Sequence, residues 1–140
     1  MSEYETDILT WSERQAALLR RVGAGEGVND QVDWENVAEE VESVGREQLH
    51  AVESLLTQAL AHMLKAEAWP LSMAVSGWQA EARLFRRQAR RRFAPSMRQK
   101  IDLAELYDDA LAALPDTIDG QGPLPVPAVC PVTLDNLLGD

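Results

Sequence analysis

Two histidines and a run of glutamates are the residues with which this sequence could bind a metal ion or move a proton. Glu47 and His50 have the i, i+3 spacing that places both side chains on one face of a helix, as in di-iron carboxylate proteins. Such a site needs a second Glu-x-x-His pair and two more inward carboxylates, and the sequence contains only the one pair. Both residues also point away from the apolar face of their predicted helix. We therefore expect a solvated helix face here, and no metal or other cofactor.

His62 is the other candidate, because a neutral imidazole near pH 7 suits a metal ligand or a general base. The candidate set combines His62 with the acidic residues Glu39, Glu40 and Glu42. In a straight helix, Glu40 and His62 are about 33 Å apart. A shared site would need a break in the helix or a second, antiparallel subunit. We interpret His62 as a half-buried, hydrogen-bonded residue, with a functional role as the alternative.

Signatures of known catalytic sites are missing from the sequence. There is no Walker loop, no Gly-x-Gly-x-x-Gly, no Gly-x-Ser-x-Gly and no His-Glu-x-x-His. Cys130 has no basic neighbour that would activate its thiol. The sequence thus favours a non-catalytic protein without deciding the question, and we assign no catalytic or cofactor-binding residue.

A stripe of arginines is the third candidate and the strongest. The stretch "RLFRRQARRRF", residues 83–93, holds six arginines in a chain whose net charge is −10. Residues 81–100 sum to +7, so the remaining residues sum to −17. At helical spacing, four of the arginines fall opposite the apolar face. This candidate interaction surface consists of Arg83, Arg87, Arg90 and Arg91.

Three kinds of partner suit this stripe. The first is internal: the acidic face of the preceding helix, at Glu35, Glu39, Glu42 and Glu53. The second is an acidic protein, or a second copy of the chain that offers Glu35, Glu39 and Glu42 as the counterpart. The third is nucleic acid, which the net charge and the lack of interleaved aromatic residues oppose. We expect a protein-interaction module or a self-associating protein, with a nucleic-acid-associated protein as the alternative.

Hydrophobic periodicity predicts the elements that position these residues. We predict an all-α, four-helix bundle-like single domain over residues 1–140, with an extended, proline-rich C-terminal tail. The long second helix would measure about 50 Å, and Gly45 leaves its continuity open. Its apolar stripe is expected in the core: Val37, Val41, Val44, Val52, Leu55, Leu56, Ala59 and Met63. The helices are predicted at about 7–22, 34–66, 75–93 and 95–114, and the irregular tail at 115–140.

Cellular location is predicted from what the chain lacks. A single cysteine cannot form an internal disulfide, and no apolar run approaches the length of a membrane span. The first residues are acidic and do not form a secretion signal. We therefore expect a cytoplasmic protein that does not bind membranes.

An ordered set of short motifs resembles a known family. The motifs are "YETDILTW", "DWENVAEEVESVGR", "LAHMLK", "SGW", "PSMR", "LYDDA" and "CPVTLDNLL", and they span Tyr4 to Leu138. Together they resemble the bacterial domain-of-unknown-function family twenty-nine. The resemblance implies a small helical cytosolic protein of bacteria. Because no activity is established for the family, it supplies no catalytic residue. Met63, where the family more often has Leu, and the glycine-rich loop at 23–27 are small departures.

Overall fold

The computed structural model describes residues 1–139, and these residues form six α-helices, two 3₁₀ turns and no strand. The all-α fold predicted from the sequence is therefore confirmed. An isolated β-bridge joins Ile118 to Gln121. The 3₁₀ turns span Asn29–Gln31 and Pro95–Gln99. The helices are α1 (Glu3–Thr6), α2 (Ile8–Gly23), α3 (Trp34–Ala68), α4 (Val75–Arg92), α5 (Leu103–Ala112) and α6 (Leu134–Leu138).

Contacts between residues group the chain into two compact units, Met1–Arg46 and Glu47–Asp140. The long second helix of the sequence prediction is α3, which has 35 residues and is continuous through Gly45. Its first part belongs to the first unit and the rest to the second. The single domain over residues 1–140 stays a prediction.

In the first unit, Asp33 connects the start of α3 to α2. Its carboxylate accepts hydrogen bonds from Trp11 Nε1 at 3.1 Å and from Asn36 Nδ2 at 2.8 Å. Its backbone N–H donates to the side-chain oxygen of buried Gln15 at 2.8 Å. The hydrogen bonds, first that from the Asn36 side chain, hold the pKa of Asp33 below its ordinary value. Asp33 therefore lies at the start of α3 and connects this helix to α2.

A short additional helix, α1, precedes α2, which corresponds to the helix predicted over 7–22. Residues Glu3–Thr6 form α1, and Asp7 interrupts the helical path with φ −149° and ψ 80°. The Asp7 carboxylate accepts from the backbone N–H of Thr10, so Asp7 is the N-cap of α2. Thr10 lies inside α2, and its hydroxyl donates to the second oxygen of the same carboxylate.

The core of the second unit is built by four helices. α3 contributes its largest share, with Val52, Leu56 and Leu60 almost fully enclosed. The remaining buried members come from the rest of α3, from α4, from the second 3₁₀ turn, from α5 and from α6. They are Ala61, Leu64, Ala89, Met97, Leu106, Tyr107, Ala110, Leu137 and Leu138. Residues 137 and 138 are thus core residues, although they lie at the end of the chain.

Hydrogen bonds attach the segment between α5 and α6 to this core. The Tyr107 hydroxyl donates to the carbonyl of Pro127 at 2.5 Å. Trp69 Nε1 donates to the Gln121 carbonyl at 2.8 Å, and the Leu124 N–H donates to the Ala68 carbonyl at 2.9 Å. Three hydrogen bonds to residues distant in the sequence therefore help to fix the path of this segment.

The predicted fourth helix over 95–114 is two elements and not one. Pro95–Gln99 forms a 3₁₀ turn, and α5 begins only at Leu103. Asp102 separates them: its backbone is extended, and its side chain accepts from the N–H of Glu105 at 3.2 Å. An N-cap aspartate needs a non-helical backbone, so the capping hydrogen bond at 102 ends one element and starts the next.

The predicted core stripe of the second helix is wrong at Val41 and Val44. These side chains are 68% and 63% exposed, whereas Val52, Leu56 and Ala59 are fully buried. Within the first unit, the buried cluster consists of Leu18, Val28 and Val32, with Val37 packed against it. In this unit α2 and residues 28–32 cover only one side of α3. Periodicity alone does not reveal how far along a helix the partners extend.

Gly45 gives a direct test of the continuity of α3. A Cβ built at this position meets no atom within 4 Å, so alanine fits without strain. Because glycine costs about 1 kcal/mol relative to alanine inside a helix, Gly45→Ala is expected to raise the free energy of unfolding by about 0.5–1 kcal/mol. Denaturant unfolding followed by circular dichroism measures the change.

Gly25→Ala is the matched control. Gly25 has φ +87°, a conformation that alanine adopts only with strain. The same substitution there is expected to lower the stability by about 1 kcal/mol. A loss of stability in Gly45→Ala would show that the helix bends at residue 45.

The pKa of Asp33 predicts the acid sensitivity of the first unit. A carboxyl group whose folded-state pKa lies below the ordinary value of about 4 stabilises the fold above that value. The contribution is lost as the pH falls through the folded-state pKa. Asp33→Asn is therefore expected to unfold more easily than the wild type at pH 7 and to lose less further stability on acidification. Urea unfolding between neutral and acidic pH, with Asp30→Asn as control, tests this; parallel curves for Asp33→Asn and wild type would contradict it.

Candidate functional site

The arginine stripe lies on the outer side of α4. Arg83, Arg87 and Arg91 are exposed, as is Arg90. On the opposite side of the helix, Ala82 and Ala89 are buried. The small buried residues bring α4 close to its neighbours, and the helical repeat then directs the arginines outward.

Arg86 differs from the rest of the stripe, because it binds the end of the chain. Its guanidinium donates to the carbonyls of Asn136 at 2.8 Å, Leu137 at 3.0 Å and Gly139 at 3.4 Å. The last carbonyls of a helix have no partner within the helix, and a cation at this end is favoured by the helix dipole. Arg86 thus fixes α6, and sequence reasoning missed this role since nothing in the pattern separates Arg86 from its neighbours.

A depression of about 200 Å³ opens beside these contacts. It is lined by Arg83, Arg86, Arg87, Arg90 and Gly139. Guanidinium groups present several N–H donors in a plane and bind carboxylates or phosphates through paired hydrogen bonds. The outer face of α4 is therefore a concave, positively charged surface.

The predicted acidic counterpart lies on the first part of α3. Glu35, Glu39 and Glu42 are all exposed. Arg46 contacts Glu39 at 2.7 Å and Glu42 at 3.7 Å. Exposed ion pairs such as these contribute only about 0–1 kcal/mol each, so a partner can replace them at little cost.

His62 is half-buried between α3 and α4. Its Nδ1 donates to the Gln58 carbonyl at 3.0 Å, and its Nε2 faces the carboxylate of Glu81. The Phe85 ring packs edge-on against the imidazole at 5.4 Å. Both ring nitrogens therefore have partners in the protein, and a ligand would have to displace Glu81 or rotate the ring.

The remaining candidates do not converge on a site. Glu47 and His50 are exposed, and the Cys130 thiol donates to the Val132 carbonyl at 3.3 Å. Within residues 1–139, no three His, Cys, Asp or Glu side chains are arranged to hold a metal ion. The helices described here also lack the combination of length and apolarity that crossing a membrane requires.

A second surface, which the sequence reasoning missed, lies in the first unit. It is an open apolar groove of about 210 Å³ between α2 and the first part of α3. The exposed Val41 and Val44 form part of its wall, and sequence reasoning had assigned both residues to the core. The groove is lined chiefly by Trp11, Ala16, Leu19, Val37, Glu40, Val41 and Val44.

A family model agrees with the resemblance that the motifs suggested. The model described as "Domain of unknown function DUF29" matches residues 3–140. The chain belongs to this family. The description assigns no activity, so membership in DUF29 identifies no ligand and no reaction for the arginine stripe or the groove.

A solved structure shows the same fold as this DUF29 chain. It is the crystal structure, at 1.45 Å resolution, of an α-helical protein of unknown function from Rhodospirillum rubrum. The two share 24% sequence identity with a TM-score of 0.63, over 99% of this chain and 90% of the other. No curated protein matches the chain. The likeness supports the all-α fold and nothing about function.

Substitution of Arg86 in this DUF29 chain should reduce stability more than substitution of an outward-facing arginine. Arg86→Ala is expected to lower the free energy of unfolding by about 1–3 kcal/mol, because charge-assisted hydrogen bonds to three carbonyls are lost. The amides of Leu137 and Leu138 should also exchange with solvent faster. Arg87→Ala, one position along, is expected to change the stability by less than about 0.5 kcal/mol. Thermal unfolding and hydrogen exchange measure both; equal effects would show that Arg86 has no special structural role.

Proposed function

We propose that this DUF29 chain is a non-catalytic protein-interaction module that docks onto an acidic protein surface through α4. The observation that carries the proposal is the concave face of α4, where Arg83, Arg87 and Arg90 surround a depression. Arg91 extends the same face toward the helix end.

Charge contrast supports a protein partner. α4 carries six arginines and one glutamate, a net charge of +5, in a chain of net charge −10. A polyanion such as nucleic acid would meet this small basic region and then the acidic remainder, which repels a phosphate backbone. A globular partner with a local acidic patch meets only the face it matches. Complementary charge of this kind sets the orientation and the rate of association.

The fixed position of α6 supports the same proposal. Arg86 holds the carbonyls of residues 136, 137 and 139, and Arg98 contacts Asp135 at 2.6 Å. Both contacts fix the segment that forms one wall of the depression. A surface whose shape is set before binding loses less conformational entropy when a partner arrives.

Finer predictions from the sequence form part of this proposal. They are the four-helix bundle-like single domain, the extended proline-rich tail, and the bacterial, cytoplasmic setting. The acidic character of Glu35, Glu39 and Glu42 is kept as the counterpart when the partner is a second copy. A ligand or general-base role for His62 is not favoured, since both its ring nitrogens already have partners.

Affinity capture with paired charge reversals tests the proposal. Arg87→Glu/Arg91→Glu is expected to lose its protein partner at low ionic strength, because two guanidinium contacts become repulsive. Arg20→Glu/Lys100→Glu is the matched control: it changes the net charge by the same amount at exposed positions outside α4. The extract comes from the organism that carries the gene and is used both with and without nuclease treatment.

Three results are distinguishable. A stoichiometric protein retained by wild type and control but lost by the α4 variant supports the proposal. Material that disappears on nuclease treatment would replace it with the nucleic-acid alternative. Identical captures by all three baits would show that the arginine face is not a docking surface.

A further inference from the structure

The apolar groove of the first unit is the surface that the proposed function leaves unused. Its wall includes Val41 and Val44, which are separated by three positions and lie on one side of α3. Both remain more than half exposed. Apolar grooves of this kind, between two helices, accept a further helix through residues spaced by three, four and seven positions.

The negative charge around the groove indicates which kind of helix can bind there. Residues 1–46 carry 11 acidic and 4 basic side chains, a net charge of −7. Glu40 itself lines the groove, where it accepts a hydrogen bond from the Tyr4 hydroxyl at 2.5 Å. This hydrogen bond is the main reason that the pKa of Tyr4 is raised to about 12. A matching helix must therefore present an apolar side chain flanked by basic residues.

α4 has this composition on its outer face. Ala80, Leu84, Arg87 and Arg91 follow one another at intervals of four, three and four, and all are exposed. Leu84 is 51% exposed, so its side chain is accessible on this face. The strip thus begins with apolar side chains and continues with guanidinium groups, while the helix as a whole carries +5.

We infer that the groove of one copy binds the outer face of α4 of a second copy, so that the DUF29 chain forms a homodimer with two identical groove–α4 contacts. Leu84 fills the groove beside Val41 and Val44, and Arg87 and Arg91 approach the acidic first unit. A two-fold axis makes the contact reciprocal, which is the commonest symmetry of soluble oligomers. This inference rests on the proposed function, because it names a second copy as the acidic partner of α4.

Sedimentation equilibrium at low ionic strength, over a range of protein concentrations, tests the dimer. Val41→Glu/Val44→Glu and Arg87→Glu/Arg91→Glu are each expected to weaken dimerisation about tenfold or more, since each places a carboxylate against an apolar or acidic surface in both contacts. The controls are Leu71→Glu/Val129→Glu, two exposed apolar residues of the second unit, and Arg20→Glu/Lys100→Glu. Both controls should dimerise like the wild type, and circular dichroism should show unchanged helix content in every variant.

A mixture of the two dissociated variants gives the decisive result. The groove variant keeps a normal α4, and the arginine variant keeps a normal groove, so the mixed dimer retains one intact contact of two. Association in the mixture that exceeds that of either variant alone supports the inference. If the arginine variant dimerises like the wild type, or if mixing restores nothing, the groove does not bind α4 and the inference is wrong.

Failure of the dimer is separable from failure of the proposed function. A wild-type chain that is monomeric at every concentration overturns the inference. The capture experiment, in which the same Arg87→Glu/Arg91→Glu variant loses or keeps a different acidic protein, then decides the proposed function by itself.

Discussion

The length of α3 is the constraint on which the other features depend. α3 has 35 residues and needs apolar partners along all of them to cover its apolar side. From Val52 onward it has them, in α4, α5, α6 and the segment between the last two. Before Gly45 it is joined by α2 and the loop at 28–32, which cover Val37 only in part. The side chains of Val41 and Val44 are exposed because this part of α3 has fewer partners.

Charge is distributed as unevenly as packing. The first unit is acidic, and the outer face of α4 is basic. An arginine cluster on a buried surface would require partners for every guanidinium, whereas on the outer face water supplies most of them. Arg86 stabilises the C-terminal segment through carbonyl oxygens instead of through carboxylates. Arg83, Arg87 and Arg91 are exposed on the outer face of α4, where a partner can reach them.

Local patterns in the sequence predict what depends on local physics. Proline and glycine positions, capping residues and helical repeats locate α2, α3 and α4 to within a few residues, and the same repeat directs Arg83, Arg87 and Arg91 away from the core. The division of the predicted fourth helix was within reach, since Asp102 is a recognisable N-cap. The exposure of Val41 and the role of Arg86 could not be predicted from local patterns, because both depend on residues far away in the sequence. Arg86, for example, donates to carbonyls about 50 positions later. The sequence therefore predicts the charge of the candidate site but not its shape.

The position of Leu137 and Leu138 in the core has a consequence for the synthesis of the protein. The second unit cannot close until residue 138 has emerged from the ribosome, although α3 and α4 are complete many residues earlier. During that interval Val52, Leu56 and Leu60 have no cover from the C-terminal segment, and the nascent chain displays an apolar surface. Contacts between residues about 50 positions apart also form slowly, because a long loop must close before they stabilise anything. A pause in synthesis just before residue 137 would prolong the exposure of this apolar surface.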